Sequence, residues 1–359
     1  MTTNSSTSNE PLISAFRAAV LRTSKRPLEI VSVEPSGPLG PGQVAVRIRY
    51  SGICGAQINE IDAVKGPDRF LPHLLGHEGV GEVIGAGPLV KSVSPGDTVI
   101  LHWMAGEGMQ ADPASYRRGQ ETINAGWVTT LSEVSIVSEN RVTRIDSTIN
   151  PQVAPLLGCA ATTAWGCLVN DAKFRLGESV VVLGAGGVGL LTIDAARAGG
   201  ATAIVAVDKV QTRVDAALRM GADTSFSSAG PDLESRLLEA LGPMGAEVVI
   251  ETTGAKEMIE LAYRLASSGG RAVLVGVPRH NEPAHLDTLP LHFGMHLTGS
   301  KGGSIDPAVD IPRLADMATK GLLNLESIPI SLFPLSSVND GIQALRDGLP
   351  GRVIIDMTA

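Results

Sequence analysis

The chain has 359 residues, 43% of them hydrophobic and 18% charged, with a net charge of −8. That length exceeds one ordinary core, so two domains are expected. The acidic balance and the 3% aromatic content argue against nucleic acid or an anionic membrane as partner.

No apolar run is long enough for a membrane helix. Three cysteines, an odd number, suit a reducing compartment better than a disulfide scaffold, so a cytoplasmic protein is expected. Residues 1–15 open with a polar Ser/Thr/Asn-rich run without a basic or apolar block, and read as a disordered tail rather than a targeting signal. From Phe16 to Tyr50 short β-prone segments alternate with turn-rich stretches such as residues 34–42. Further short strands are expected at residues 80–85 and from Thr98, which together suit a compact antiparallel β-domain.

Three ligand-type residues fall in or beside this half: Cys54 in residues 51–55 (SGICG), His77 in residues 76–79 (GHEG), and Cys159 in residues 156–163 (LLGCAATT). Two thiolates and an imidazole would fill three of the four positions zinc prefers, leaving one for water or substrate. Their wide separation keeps a plainer reading open, in which Cys54 and Cys159 are buried hydrophobes and His77 is a core histidine.

In the second half, residues 160–168 are helix-compatible. Val180–Leu183 reads as a buried strand, Gly184, Gly186 and Gly189 then fall in G-x-G-x-x-G spacing, and a helix runs to Ala198, where Gly199 can close it as a left-handed cap. Such a turn, with Gly187 and Val188 inside it, leaves backbone N–H groups free for a pyrophosphate. A second strand, 203–207, ends at Asp208, nineteen positions after Gly189, where a carboxylate can take the adenosine ribose. Asp208 would repel a 2′-phosphate, which favours NAD over NADP, although Lys209 and Arg213 temper the preference. Helices at 210–220, 232–241 and 256–265 alternate with strands at 247–251, 271–277 and 297–301, which predicts a doubly wound parallel sheet. Gly302 and Gly303 read as a flexible exit, followed by helices at 313–319 and 338–346 and a strand at 351–355.

The motifs GICG at 52–55, GHEG at 76–79, PGD at 95–97, Gly158-Cys159 and the fingerprint from Gly184 occur in the order found in the zinc-dependent medium-chain alcohol dehydrogenases, and the chain resembles that family from Phe16 onward. The resemblance implies an α/β protein with a GroES-like β-rich catalytic domain, residues 16–165 and 306–359, and a Rossmann coenzyme domain, residues 166–305. It implies that Cys54, His77 and Cys159 bind the catalytic zinc, with Glu78 behind them. It places Thr163, Thr253, Val275 and Val277 beside the nicotinamide, Arg213 beside the adenosine ribose, and Arg352 near the pyrophosphate. It also implies a homodimer or homotetramer.

Two departures qualify the resemblance. Where the family often has a hydroxyl residue, an aspartate and a histidine after the first zinc ligand, this chain has Ala56, Gln57 and Asn59. The usual proton relay is therefore lost, while Gln57 can still accept a hydrogen bond from His77. Water, a substrate hydroxyl or His102 is expected to carry the proton instead. Residues 101–126, where many relatives hold a structural zinc with four cysteines, contain none, so one zinc per chain is expected. This polar lobe (His102, Trp103, Glu107 and Gln110) suits either a substrate contact or a surface role, and a hydroxylated substrate such as a polyol, cyclitol or sugar derivative is favoured. The competing readings are a zinc-free reductase of the same superfamily and a non-catalytic nucleotide-binding relative.

Overall fold

The computed structural model describes residues 13–145, 148–230 and 232–359. Of the tail expected at 1–15, residues 1–12 lie outside the described residues.

The first half is β-rich, as its short alternating segments require. Strands β1 (Phe16–Leu21), β2 (Glu29–Pro35) and β3 (Gln43–Ile53) lead into helix α1 (Gly55–Ile61), followed by β4 (His73–Leu74), β5 (Glu78–Ala86) and β6 (Thr98–His102). Then come β7 (Ser115–Arg118), β8 (Glu121–Asn124), β9 (Val134–Ser138) and β10 (Val142–Arg144). Strands β1, β2, β7, β8 and β4 close into a small barrel. Its inward residues include Ala18, Val20, Val33 and Tyr116, whose hydroxyl accepts from Ile136 N–H at 3.0 Å.

The long strand β3 is the spine of a second sheet. It pairs with β9 at its start and with β5 along its length. The β3–β5 register sets Ser51 opposite Gly79, so the chain leaves β3 at Cys54 beside the segment that carries His77 and Glu78. Strand β6 extends this sheet and pairs Glu78 with His102.

Helix α2 (Ala160–Gly166), almost wholly buried, carries the chain into the coenzyme half. There β11 (Ser179–Leu183), α3 (Gly187–Ala198), β12 (Ala203–Asp208), α4 (Gln211–Arg219), β13 (Thr224–Ser227), α5 (Leu233–Leu241), β14 (Ala246–Glu251), α6 (Lys256–Leu265), β15 (Ala266–Leu274) and β16 (His296–Gly299) alternate strand and helix. The strands form one parallel sheet in the order β13-β12-β11-β14-β15-β16. That order reverses beside β11, where open α/β sheets bind their ligands. Helix α7 (Pro307–Thr319), strand β17 (Ile330–Pro334), helix α8 (Val338–Arg346) and strand β18 (Arg352–Asp356) return the chain to the first half, and β18 pairs with the end of β3. The protein is a two-domain α/β fold, with a GroES-like β-rich part and a Rossmann part. Leu156 and Leu157, Ala160 and Ala164 of α2, Leu190 and Ile193 of α3, and Ile311 and Leu314 of α7 share one apolar core. Full burial of such a side chain stabilises by about 1.5–3 kcal/mol.

Four local expectations are revised. Strand β15 ends at Leu274 rather than Val277, because Val275 N–H and Gly276 N–H turn to Glu251 O, and Val277 is exposed beyond it. The residue with positive φ after α3 is Gly200 (79°), not Gly199. Helix α7 starts at Pro307, well before Arg313, because Asp306 caps it through Ala308 N–H and proline suits its first position. Gly302 and Gly303 are packed rather than flexible: a Cβ on Gly166 would lie 2.2 Å from Gly303 O, and one on Gly302 would lie 2.6 Å from Trp103.

Gly189 is the tightest point of the coenzyme half, since a Cβ there would stand 1.8 Å from Gly184 O. Gly189→Ala is expected to lower unfolding free energy by about 3 kcal/mol through overpacking, measured by denaturant titration at unchanged slope.

Candidate active site

The ends of β3 and β5 and the residue before α2 converge on one point. Their candidate ligand atoms, from Cys54, His77 and Cys159, lie within 4.8 Å of one another. Cys54 is the N-cap of α1, and Cys159 immediately precedes α2. Nε2 of His77 is buried without a hydrogen-bond partner, as a nitrogen reserved for a metal would be. The Cys54 thiol is held well below the ordinary cysteine range, first by its hydrogen bond with Cys159 and further by Arg352 and His77. Burial opposes charging His77, but the neighbouring Cys54 outweighs it and raises the imidazole. Two thiols, one ready to ionise, and an orphaned imidazole nitrogen form a donor set that fits a tetrahedral zinc with one open position.

Behind the ligands lies a buried ion pair. Arg352 donates from one terminal nitrogen to both carboxylate oxygens of Glu78, at 2.7 and 2.9 Å, with the two residues 3% and 0% exposed. Arg352 is thus no surface arginine. Its Cδ also occupies the space where a Cβ of Gly187 would fall, 2.4 Å away. One side chain therefore touches both the metal-site glutamate and the glycine turn.

At that turn Gly184 takes φ 97°, and a Cβ on Gly186 would meet nothing within 4 Å. The space beside Gly186 is open at the N-terminus of α3, where backbone N–H groups can receive an anionic phosphate. The Asp208 carboxylate accepts from Ala185 N–H at 2.8 Å and from Val210 N–H at 2.9 Å, which fixes its charge beside the turn. Arg213 reaches Leu349 O at 3.3 Å and keeps a buried Nε without a partner. Val188 follows Gly187 in the first turn of α3. Thr163 is buried in α2 one turn past Cys159, donating its N–H to Cys159 O, and Val275 is half-buried at the exit of β15. Thr253 donates both its N–H and its hydroxyl to Glu251.

His102 does not join the ligand group. It is 1% exposed, its ring nitrogens meet Met104 O at 2.8 Å and Thr143 Oγ1 at 2.9 Å, and burial pushes its pKa down to about 4. It is a neutral fixture of its lobe, poorly suited to carrying protons near neutrality. Gln110 likewise spends its amide on Ser138 and Ala111 O. Arg141, which donates to Trp103 O, stacks 5.9 Å from the ring of Trp127.

Several residues escaped the sequence reading. Glu251, wholly buried, ties the turn that carries Thr253 and Gly254. Glu139 accepts from Lys91, Ser92 and Met109 N–H and so fastens the polar lobe. Glu60, one helical turn after Ala56, is exposed beside it on the outer face of α1. Only its spacing from Ala56 could have signalled it.

Residues 40–147 match the family model described as alcohol dehydrogenase GroES-like domain, and residues 187–320 match zinc-binding dehydrogenase. A protein of Mycobacterium tuberculosis assigned as alcohol dehydrogenase D is 30% identical, covering 94% of this chain and 98% of that one. An S-(hydroxymethyl)glutathione dehydrogenase of Escherichia coli is 29% identical, covering 94% and 99%. The solved alcohol dehydrogenase zinc-binding domain protein of Burkholderia ambifaria superposes with a TM-score of 0.88 at 26% identity, over 96% of this chain and 99% of that one.

Folded His102 stays neutral while the unfolded chain takes up its proton below about pH 6.5. Stability should therefore fall as pH drops from 6.5 to 4, by up to about 3 kcal/mol from this group. His102→Gln should flatten that part of the profile, read by denaturation midpoints across pH.

Proposed function

Because the chain belongs to the zinc-type medium-chain dehydrogenase/reductase family, we propose that it is a zinc-dependent oxidoreductase interconverting an alcohol and a carbonyl compound with NAD(H). The observation that carries this reading is the convergence of Cys54, His77 and Cys159 with an unpartnered His77 Nε2. The relatives named above, called alcohol or S-(hydroxymethyl)glutathione dehydrogenases, support the reaction class. A hydroxylated small molecule, such as a polyol, cyclitol or sugar derivative, is the substrate class we favour, on the polar lobe around residues 101–126.

When bound, zinc would stabilise negative charge on the substrate oxygen and the nicotinamide would give or take the hydride. The chain supplies the placement. Cys54, His77 and Cys159 hold the metal, and the Glu78–Arg352 pair keeps them in register. The turn at Gly184, Gly186, Gly187, Val188 and Gly189 receives the pyrophosphate at the N-terminus of α3. Asp208 accepts from the ribose and sets a negative charge where a 2′-phosphate would lie, which supports NAD over NADP. Thr163, Thr253, Val275 and Val277 are assigned to the nicotinamide side, Arg213 to the ribose and Arg352 to the pyrophosphate side. Residues 16–165 with 306–359 are assigned to the catalytic domain, and residues 166–305 to the coenzyme domain.

We further propose a homodimer or homotetramer. Strand β16 is the edge of the parallel sheet, and Leu289, Leu291 and Phe293 are exposed just before it. Such an apolar edge favours pairing with another copy. Phe293→Asp should shift the mass in light scattering toward the monomer.

Metal analysis should find one zinc per chain, abolished in Cys54→Ser and His77→Ala. Gly186→Ala should preserve the denaturation midpoint yet weaken NADH binding about ten-fold or more, read by fluorescence titration. An alcohol panel with NAD and NADP then compares kcat/KM for the two coenzymes. NADH binding without turnover across that panel would favour the non-catalytic reading that Ala56 and Asn59 keep open, and a chain without zinc would favour the zinc-free reductase.

A further inference from the structure

Gln57 lies on the buried face of α1, 1% exposed, and its side chain joins two of the three ligands. Its Oε1 accepts from Cys54 N–H at 2.7 Å, and its Nε2 meets Nδ1 of His77. The sequence expectation had Gln57 accepting from His77, but the oxygen is already taken by the N-cap backbone. Without a metal both contacts are satisfied, because a neutral imidazole accepts from the amide at Nδ1 and carries its own proton on Nε2. A metal on Nε2 reverses the ring, so that Nδ1 bears the proton and becomes a donor. Two donors, Cys54 N–H and His77 Nδ1–H, then face one amide with a single acceptor oxygen. The ring of a metal-bound imidazole is the stronger donor, so the amide turns its oxygen to His77 Nδ1–H and sets its NH₂ against Cys54 N–H, and the burial of Gln57 leaves little room for water to replace the acceptor that Cys54 loses.

We infer that Gln57 makes metal binding compete with the site's own hydrogen bonds, so that this chain holds zinc more loosely and exchanges it faster than it would with a double acceptor at position 57. The inference rests on the zinc reading above. Gln57 is a positioning residue here, acting on the metal through Cys54 and His77. A carboxylate of the same length accepts from both donors, which makes Gln57→Glu the informative change.

The experiment titrates zinc on the full chain against a chromophoric chelator, for the wild type and Gln57→Glu, and follows zinc release after adding excess chelator. The variant should bind zinc about ten-fold tighter or more and release it correspondingly more slowly. Equal or weaker binding by a folded variant overturns the inference. A second readout uses the wild type alone: residue-resolved amide hydrogen exchange with and without zinc. Turning the amide strips Cys54 N–H of its acceptor, so its exchange should quicken on zinc binding while its neighbours in α1 slow. Slower exchange at Cys54 along with those neighbours overturns the inference, whether or not the variant folds. If the wild type takes up no zinc but the variant does, the zinc reading of the natural chain fails while this inference stands. If neither takes up zinc, both fail.

Discussion

The contact between Glu78 and Arg352 is the constraint on which the two halves of the protein depend. Glu78 opens β5 immediately after His77, and Arg352 opens β18 near the end of the chain. The pair is buried on both sides, and burial alone would push the carboxyl up, an effect the adjacent guanidinium opposes. Removing one partner of such a pair strands a charge in the interior at a cost of about 3–5 kcal/mol. The pair is therefore a poor source of net stability and a strong source of geometry. Arg352 also fills the space beside Gly187, so one buried side chain lies against both the glycine turn and Glu78. Gly52 is a glycine for the same reason: a Cβ there would stand 2.3 Å from the Glu78 carboxylate.

Much of the coenzyme half could be read in the chain because its signals are local. The apolar run at 180–183, the glycine spacing and Asp208 all lie within one βαβ unit, where β11 and β12 fall within a residue of their expected bounds, whereas β13 is unanticipated and β15 starts at Ala266 rather than Arg271. Errors arose where a boundary is set by a distant partner. Val275 to Val277 reads as strand on composition, yet the backbone of Val275 and Gly276 is drawn off to Glu251. Gly302 and Gly303 suggest freedom on composition, yet Gly166 and Trp103 close on them from segments more than 130 positions away.

The site was legible to the extent that residue type alone specifies chemistry. Cys54, His77 and Cys159 converge, although nothing in their spacing required it; the β3–β5 register brings the first two together. Residue type misled at His102. Imidazole is the usual proton carrier near neutrality, but here both ring nitrogens are engaged and the ring is sealed in its lobe. No property of the sequence around residue 102 encodes that burial, since it depends on Thr143 in the neighbouring strand and on Pro307 at the start of α7.

Helix α1 gathers what sets this chain apart from the pattern it otherwise follows, and its two faces differ in what they touch. On the buried face Gln57 touches Cys54 and His77, so its neutral amide bears on how the metal is held. On the accessible face Ala56 and Asn59 supply no group that titrates near neutrality, and Glu60, one turn beyond Ala56, is the one ionisable side chain of the helix. A seven-residue helix set directly after Cys54 thus carries Gln57 against Cys54 and His77 on one face and Ala56, Asn59 and Glu60 on the other. The fold anchors this helix through Ile61 in the core and through the Gln57 side chain that caps it at Cys54.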